Sequence, residues 1–227
     1  DVKTVLRQTN SVSGEFRLRD LEYVLGNNTT QTVYRECGCR YKTDVKKTYF
    51  SPRLSYERLR IAKLVKPREV VVNMFAGVGC YSVCVAKHSQ PTKVYSIDVN
   101  PDAFRYQQEN VLLNRTETVI IPMLGDAKTL IQTQLQNVAD RVLMPLPEKA
   151  LEYLDCALLA LKPAGGWIHY YDFEHAKKGK SPVKKTEVKV CEKLDAKGIK
   201  FQVNYGRTVR TTGPNWYQTV LDIHVQK

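Results

Sequence analysis

An apolar run that closes on a polar residue and two glycines one residue apart, Val70-Val71-Val72-Asn73-Met74-Phe75-Ala76-Gly77-Val78-Gly79-Cys80, constrains this chain more than any other stretch. A second apolar run downstream, Val94-Tyr95-Ser96-Ile97-Asp98, ends in an acid. Short runs of this kind read as buried parallel strands. The glycines let the backbone of the following turn approach a ligand, where a helix begins with free N–H groups. An acid closing the next strand accepts hydrogen bonds from ribose hydroxyls. From Glu69 onward the same alternation continues, predicting strands at 70–73, 93–98, 119–123, 141–144 and 166–172 with helices at 81–86, 101–114, 130–135 and 150–161 between them. A helix at 183–196 and strands at 200–210 and 216–225, around Thr211-Thr212-Gly213-Pro214, close the pattern. It predicts an α/β fold with a mostly parallel, doubly wound sheet.

Residues 1–60 differ in style and predict a small α+β domain ahead of a main domain at 61–227. Residues 2–7 alternate like a strand, and 19–25 are compatible with one or two helical turns. Residues 32–36 and 40–45 alternate around Cys37-Gly38-Cys39. Helical spacing follows at 55–64, with Ser51 or Ser55 as N-cap.

The third position of the glycine turn decides which ligand it suits. A dinucleotide fingerprint would place Gly or Ala where this chain has Ser82. An Asn before a short F-x-G-x-G turn, with an acid closing the next strand, instead resembles class I S-adenosylmethionine methyltransferases. Their Rossmann-like, mostly parallel seven-stranded sheet ends in an antiparallel pair. A lone G-x-G is also an ordinary strand-to-helix turn, but Asp98 and Leu124-Gly125-Asp126-Ala127 tell against that reading. The resemblance implies S-adenosyl-L-methionine as cofactor, held by Phe75, Ala76, Gly77 and Gly79, with Asp98, Val99 and Asn100 at its ribose and Asp126 and Ala127 at its adenine.

Lys and Arg outnumber Asp and Glu by 35 to 23, a formal net charge of +12. Such an excess fits a polyanionic partner. The clusters Lys177-Lys178-Gly179-Lys180 with Lys184-Lys185, and Arg53, Arg58, Arg60, Lys63, Lys66 and Arg68, favour nucleic acid over a merely well-solvated surface. The six cysteines include a C-G-C too tight for a zinc knuckle, and no partner pair follows at ligand spacing. They are expected to be reduced thiols of a cytoplasmic protein without a metal. No membrane span and no secretory signal are expected.

Further segments narrow the resemblance. Gly14-Glu15-Phe16-Arg17, Tyr49-Phe50-Ser51-Pro52-Arg53-Leu54 with Glu57-Arg58, Asn73 to Gly79, Asp98-Val99-Asn100-Pro101, Met144-Pro145-Leu146-Pro147 and Pro214-Asn215-Trp216 fall in one order along the chain. Together they resemble the archaeal and eukaryotic tRNA guanine-N1 methyltransferases, which act on the purine 3′ of the anticodon, and the related wybutosine-pathway aminocarboxypropyltransferases. The resemblance implies a tRNA partner bound at its anticodon stem-loop and a monomeric enzyme. It also implies an upstream tRNA-elbow domain that this chain, starting at Asp1, is expected to lack. Glu57 matches the carboxylate that takes the N1 proton, and Arg17 the arginine that steadies guanine O6 as negative charge builds. Arg53, Arg58, Leu146 and Pro147 fall to the substrate. On spacing alone, Glu57 is equally an i,i+3 partner of Arg60 on a helix face, and Arg17 a surface arginine. Tyr170, Tyr171 and Trp216 suit either a splayed base or the core, while His169 and His175 read as structural or surface groups.

Pro145 departs from the pattern. Methylating members present Asn there, and proline has neither a side-chain donor nor a backbone N–H. The expectation is methyl transfer to guanine N1, with Glu57 as base, Arg17 as stabiliser and the carbonyls of Pro145 to Pro147 positioning the ring. The alternative is aminocarboxypropyl transfer or carbon methylation on a tricyclic guanine derivative. A non-catalytic RNA-binding module is the reading from a different class.

Overall fold

The computed structural model describes residues 2–10 and 12–227. Two antiparallel hairpins come first: β1 (Thr4–Gln8) pairs with β2 (Leu21–Gly26), and β3 (Gln31–Glu36) with β4 (Cys39–Asp44) across the tight Cys37-Gly38 turn. The strand β2 corrects the helical expectation for 19–25. A helix of one or two turns has no stability of its own in water, whereas Leu21 to Gly26 finds a ready ladder on β1.

Helix α1 (Ser55–Leu64) lies where its spacing predicts. Neither Ser51 nor Ser55 caps it with a side chain, because a 3-10 turn at Pro52–Leu54 runs directly into it and the Ser55 N–H is already bound to the Pro52 carbonyl.

Strands and helices then alternate: β5 (Val70–Asn73), α2 (Cys80–His88), β6 (Lys93–Asp98), α3 (Pro101–Leu113), β7 (Ile120–Leu124), α4 (Ala127–Gln134), β8 (Arg141–Met144), α5 (Ala150–Ala160), β9 (Gly166–His175), α6 (Pro182–Asp195), β10 (Lys200–Gly213) and β11 (Trp216–Gln226). They form a seven-stranded sheet in the order β10-β11-β9-β8-β5-β6-β7. The strands β5 to β9 are parallel, and β11 is antiparallel to both β9 and β10. The doubly wound expectation is met, including its antiparallel close. β9 extends past Asp172 because β11 pairs with it all the way to His175 opposite Trp216.

Both faces of the sheet are apolar, and successive strand residues feed opposite layers. Val72, Val142, Met144, Ile168 and Tyr170 pack with α4, α5 and α6, while Val71, Leu143, Tyr171 and Val220 pack with α1, α2 and α3. Tyr170 and Tyr171 are therefore core residues.

The β3–β4 hairpin is held to α3 by two side-chain amides. Asn110 accepts from the Lys42 N–H at 2.6 Å and donates to the Lys42 carbonyl at 3.0 Å. Asn114 does the same with Arg40, at 2.9 and 2.7 Å. An i,i+4 step on a helix rises about 6 Å and an i,i+2 step on a strand about 6.8 Å, so the two repeats match. No helix is long and apolar enough to cross a membrane.

Candidate active site

The carboxyl ends of β5 to β8 open into one cleft that is partly open to solvent. Beneath the turn that borders it, the buried Asn73 side-chain amide donates to Ser82 Oγ at 3.0 Å, and Ser82 in turn shares a hydrogen bond with Ser96 on β6. The serine that breaks the dinucleotide fingerprint thus pins two strands to a helix.

Above it the turn is held by the Ala76 N–H on the Ile97 carbonyl and the Gly79 N–H on the Ala76 carbonyl. Gly77 has φ +57, a left-handed conformation that glycine adopts without steric cost. Its N–H donates to Asp98 Oδ2 at 2.6 Å, and the Asn100 N–H donates to Oδ1 at 2.9 Å. Burial pushes the Asp98 carboxyl above the usual carboxylate range, against the pull of the Asn100, Gly77 and Val99 N–H groups. Each oxygen keeps acceptor capacity for a ligand hydroxyl.

Asn100 then caps α3 by accepting from the Asp102 and Ala103 N–H groups. Asp126 caps α4 through the Thr129 N–H and accepts the Tyr153 hydroxyl at 2.6 Å. Burial pushes Asp126 up, but these donors outweigh it and leave the carboxyl below its usual range.

The opposite wall comes from the N-terminal segment. A turn closed by pairing of Ser13 with Leu18 presents Arg17, itself at φ +53. The Arg17 guanidinium lies 4.7 Å from the Tyr49 ring centroid and 5.7 Å from that of Phe173, and its Nη1 donates to Glu148 at 2.9 Å. Its Nε is buried and has no partner among the described residues.

Of the residues singled out from sequence, Phe75, Gly77, Asp98, Val99, Asn100, Asp126 and Ala127 line this cleft on one side, and Arg17, Pro145 and Leu146 on the other. Others lie off its wall. Ala76 and Pro147 are buried beside it, and Gly79 faces Gln107 on α3. Arg53 is exposed to solvent away from the cleft.

Arg58 does not face a phosphate. It is buried in a two-pronged ion pair with Glu36 and donates to the Ser51 carbonyl, because a guanidinium inside the protein must be matched by a countercharge.

Glu57 is also off the wall. It is 1% exposed, clamped by Arg60 at 2.7 and 3.0 Å and bonded by the Tyr171 hydroxyl at 2.8 Å. Arg60 continues to Asp222 at 2.6 Å. The Asp222 carboxylate accepts from His169 Nδ1–H, and Arg141 donates to His169 Nε2 while pairing with Glu69. Burial lowers the His169 pKa and keeps the ring neutral, and the Asp222 contact with it is a hydrogen bond rather than an ion pair. Although burial opposes it, His169 and Arg60 hold Asp222 well below the ordinary carboxylate range.

Tyr49, Glu148 and Tyr153 complete the site without having been singled out. Tyr49 opens the Y-F-S-P-R string and Glu148 directly follows the M-P-L-P segment, so position could have flagged both. Tyr153 sits mid-helix and carries no such signal. Among the described residues no group of His, Cys, Asp and Glu could hold a metal, and all six cysteines are unpaired.

The sequence profile of the TRM5/TYW2 methyltransferase domain matches residues 32–199. The tRNA (guanine(37)-N(1))-methyltransferase Trm5b of Pyrococcus abyssi is 38% identical over 99% of this chain and 64% of its own length. The tRNA 4-demethylwyosine(37)-methyltransferase Taw21 of Saccharolobus solfataricus is 40% identical over 98% of this chain and 79% of its own. The crystal structure of M. jannaschii TYW2 in complex with AdoMet superposes with a TM-score of 0.79 at 31% identity, over 91% of this chain and 90% of that one. The chain therefore spans a little under two thirds of the Pyrococcus relative and most of the other two. With a profile match across most of its length, relatives alike over nearly all of it and the same fold, this chain belongs to the TRM5/TYW2 methyltransferase family.

Proposed function

We propose that the chain transfers the methyl of S-adenosylmethionine to N1 of the guanine 3′ to a tRNA anticodon, with 61–227 as the transferase domain and 1–60 as an RNA-facing linking domain. One observation carries this reading: a single cleft joins a nucleoside-type edge at Gly77, Asp98 and Asp126 to a guanidinium, Arg17, brought from the far end of the sequence. The names of two relatives, tRNA methyltransferases acting at position 37, and of the TYW2 structure in complex with AdoMet support it.

The edge fits the cofactor. A Cβ on Gly77 would meet only the Tyr49 carbonyl oxygen, at 3.6 Å, so the space above the turn is open to a ligand. Asp98 would accept ribose hydroxyls, Asp126 and Ala127 would border the adenine, and Phe75 and Gly77 would face the methionine end. When bound, the cofactor supplies a methyl made electrophilic by its sulfonium.

The remaining work falls to side chains. Arg17, on the cleft wall, offers its guanidinium to purine O6, where charge builds as N1 loses its proton. Tyr49, Phe173 and Glu148 hold the guanidinium in place. Pro145 and Leu146 give the base a flat, apolar wall and a carbonyl. Glu57, the base assigned by family resemblance, must be released by Arg60 before it can take a proton. Glu57→Gln is expected to slow single-turnover methyl transfer to an anticodon stem-loop RNA by about 10²–10⁴-fold. Unchanged transfer removes Glu57 from the mechanism.

Pro145 on the cleft wall and the likeness to Taw21 favour a second reading, carbon methylation of a tricyclic guanine derivative at the same position. A wall without a side-chain amide suits a larger, flatter ring. Mass spectrometry of nucleosides from tRNA treated with the protein separates the two: N1-methylguanosine supports the first, a methylated tricycle the second. A product labelled from the cofactor's carboxyl carbon defeats both in favour of aminocarboxypropyl transfer.

A further inference from the structure

The basic residues of this chain meet two different fates. Arg58, Arg60 and Arg141 are consumed inside the fold by Glu36, Glu57, Asp222 and Glu69. Lys177, Lys178 and Lys180 are exposed and make no ion pair among the described residues. They share a groove with Lys184 and Lys185 at the start of α6, over an apolar floor that includes Val188.

Next to this groove stands a half-exposed indole. Trp216 is 47% exposed and meets His175 edge-on at 5.4 Å. It is held rigidly, because it lies opposite His175 in the β9–β11 ladder and the Ala176 N–H binds the neighbouring Asn215 carbonyl at 2.9 Å. His175 is two residues beyond Phe173, whose ring lies against Arg17. The two side chains share a face of β9, about 7 Å apart along the strand. A lysine groove that includes His175, a fixed indole against that histidine, and Phe173 leading from it to Arg17 combine what single-stranded nucleic acid requires: charge for phosphates and a ring for a base.

We infer that this face binds the single-stranded RNA flanking the target nucleotide, with Trp216 stacking on a neighbouring base and Lys177, Lys178 and Lys180 taking the phosphates. The inference rests on the proposed tRNA substrate. The test uses the whole chain as wild type, as the triple variant Lys177→Gln, Lys178→Gln, Lys180→Gln, and as Trp216→Ala and Trp216→Phe. Each is titrated with a labelled anticodon stem-loop RNA across a salt series, and calorimetry with S-adenosylhomocysteine reports whether its cleft is intact.

The triple variant is expected to flatten the slope of log affinity against log salt by about 2, near 0.7 per lysine. Trp216→Ala is expected to weaken binding about tenfold and Trp216→Phe to restore most of it, with cofactor-product affinity unchanged throughout. If wild type binds the RNA and all variants match its affinity and slope, the inference is overturned while the proposed function stands. A wild type that binds no RNA overturns the proposed function, and this inference with it. Loss of binding to phosphatidylserine vesicles in the variants, with RNA affinity unchanged, overturns it in favour of a membrane surface.

Discussion

Asp98 is a buried acid whose partners are backbone N–H groups, and this sets a pH dependence on ligand binding. Burial raises its pKa, so it takes up a proton at a higher pH than an ordinary aspartate. A protonated carboxyl accepts a ribose hydroxyl less well than a carboxylate does. Affinity for S-adenosylhomocysteine should therefore fall as pH is lowered, beginning above the usual Asp value of about 3.9. Calorimetry between about pH 8 and 4 checks this, and Asp98→Asn should bind more weakly with no such fall in that range. Asp98 and Asp126 were legible in the sequence because an acid at the end of a buried strand has a fixed address in a parallel sheet. The Glu57–Arg60 pair was legible from its i,i+3 spacing, but the burial of Glu57 and the fate of Arg58 were not. Whether a helical charge faces a ligand or a buried countercharge depends on Glu36, Tyr171 and Asp222, and nothing near residue 57 announces them.

Among the elements, α3 holds the β3–β4 hairpin through two side-chain amides. Asn110 satisfies the Lys42 N–H and carbonyl and also donates to the Val78 carbonyl behind the cofactor turn. Asn110→Ala leaves these groups buried without partners and should cost about 2–4 kcal/mol, measured as a lower urea midpoint. A loosened Val78 should weaken S-adenosylhomocysteine binding in the same variant. Apart from the far end of β9, the parallel core strands were legible within a residue or so, since Val70 to Asn73 and Val94 to Ile97 are short, largely buried runs. The strand β2 was not, because a short exposed segment such as Leu21 to Gly26 takes its conformation from β1, which pairs with it.

Across the whole molecule, the chain of Tyr171, Glu57, Arg60, Asp222, His169, Arg141 and Glu69 ties α1 to β8, β9 and β11. It ties stability to pH on two counts. The His169 pKa is lower folded than unfolded, so the unfolded chain takes the proton first and stability declines as pH falls below about 6.5. The Asp222 pKa is also lower folded than unfolded. Its contribution is full above about pH 4 and is lost as pH drops further, toward the folded value. Urea midpoints against pH should show both declines. Asp222→Asn should lower stability by about 3 kcal/mol at neutral pH, with the gap to wild type narrowing in acid. The alternation at 32–36 and 40–45 predicted the β3–β4 strands, but not that Asn110 and Asn114 would bind them to α3. That bond also sets an order of events during synthesis. The β3–β4 hairpin emerges early, yet the amides that close its outer edge lie 68 and 74 residues downstream. Its docking must wait until α3 has left the ribosome, so the hairpin stays incomplete while β5, α2 and β6 are made between the two.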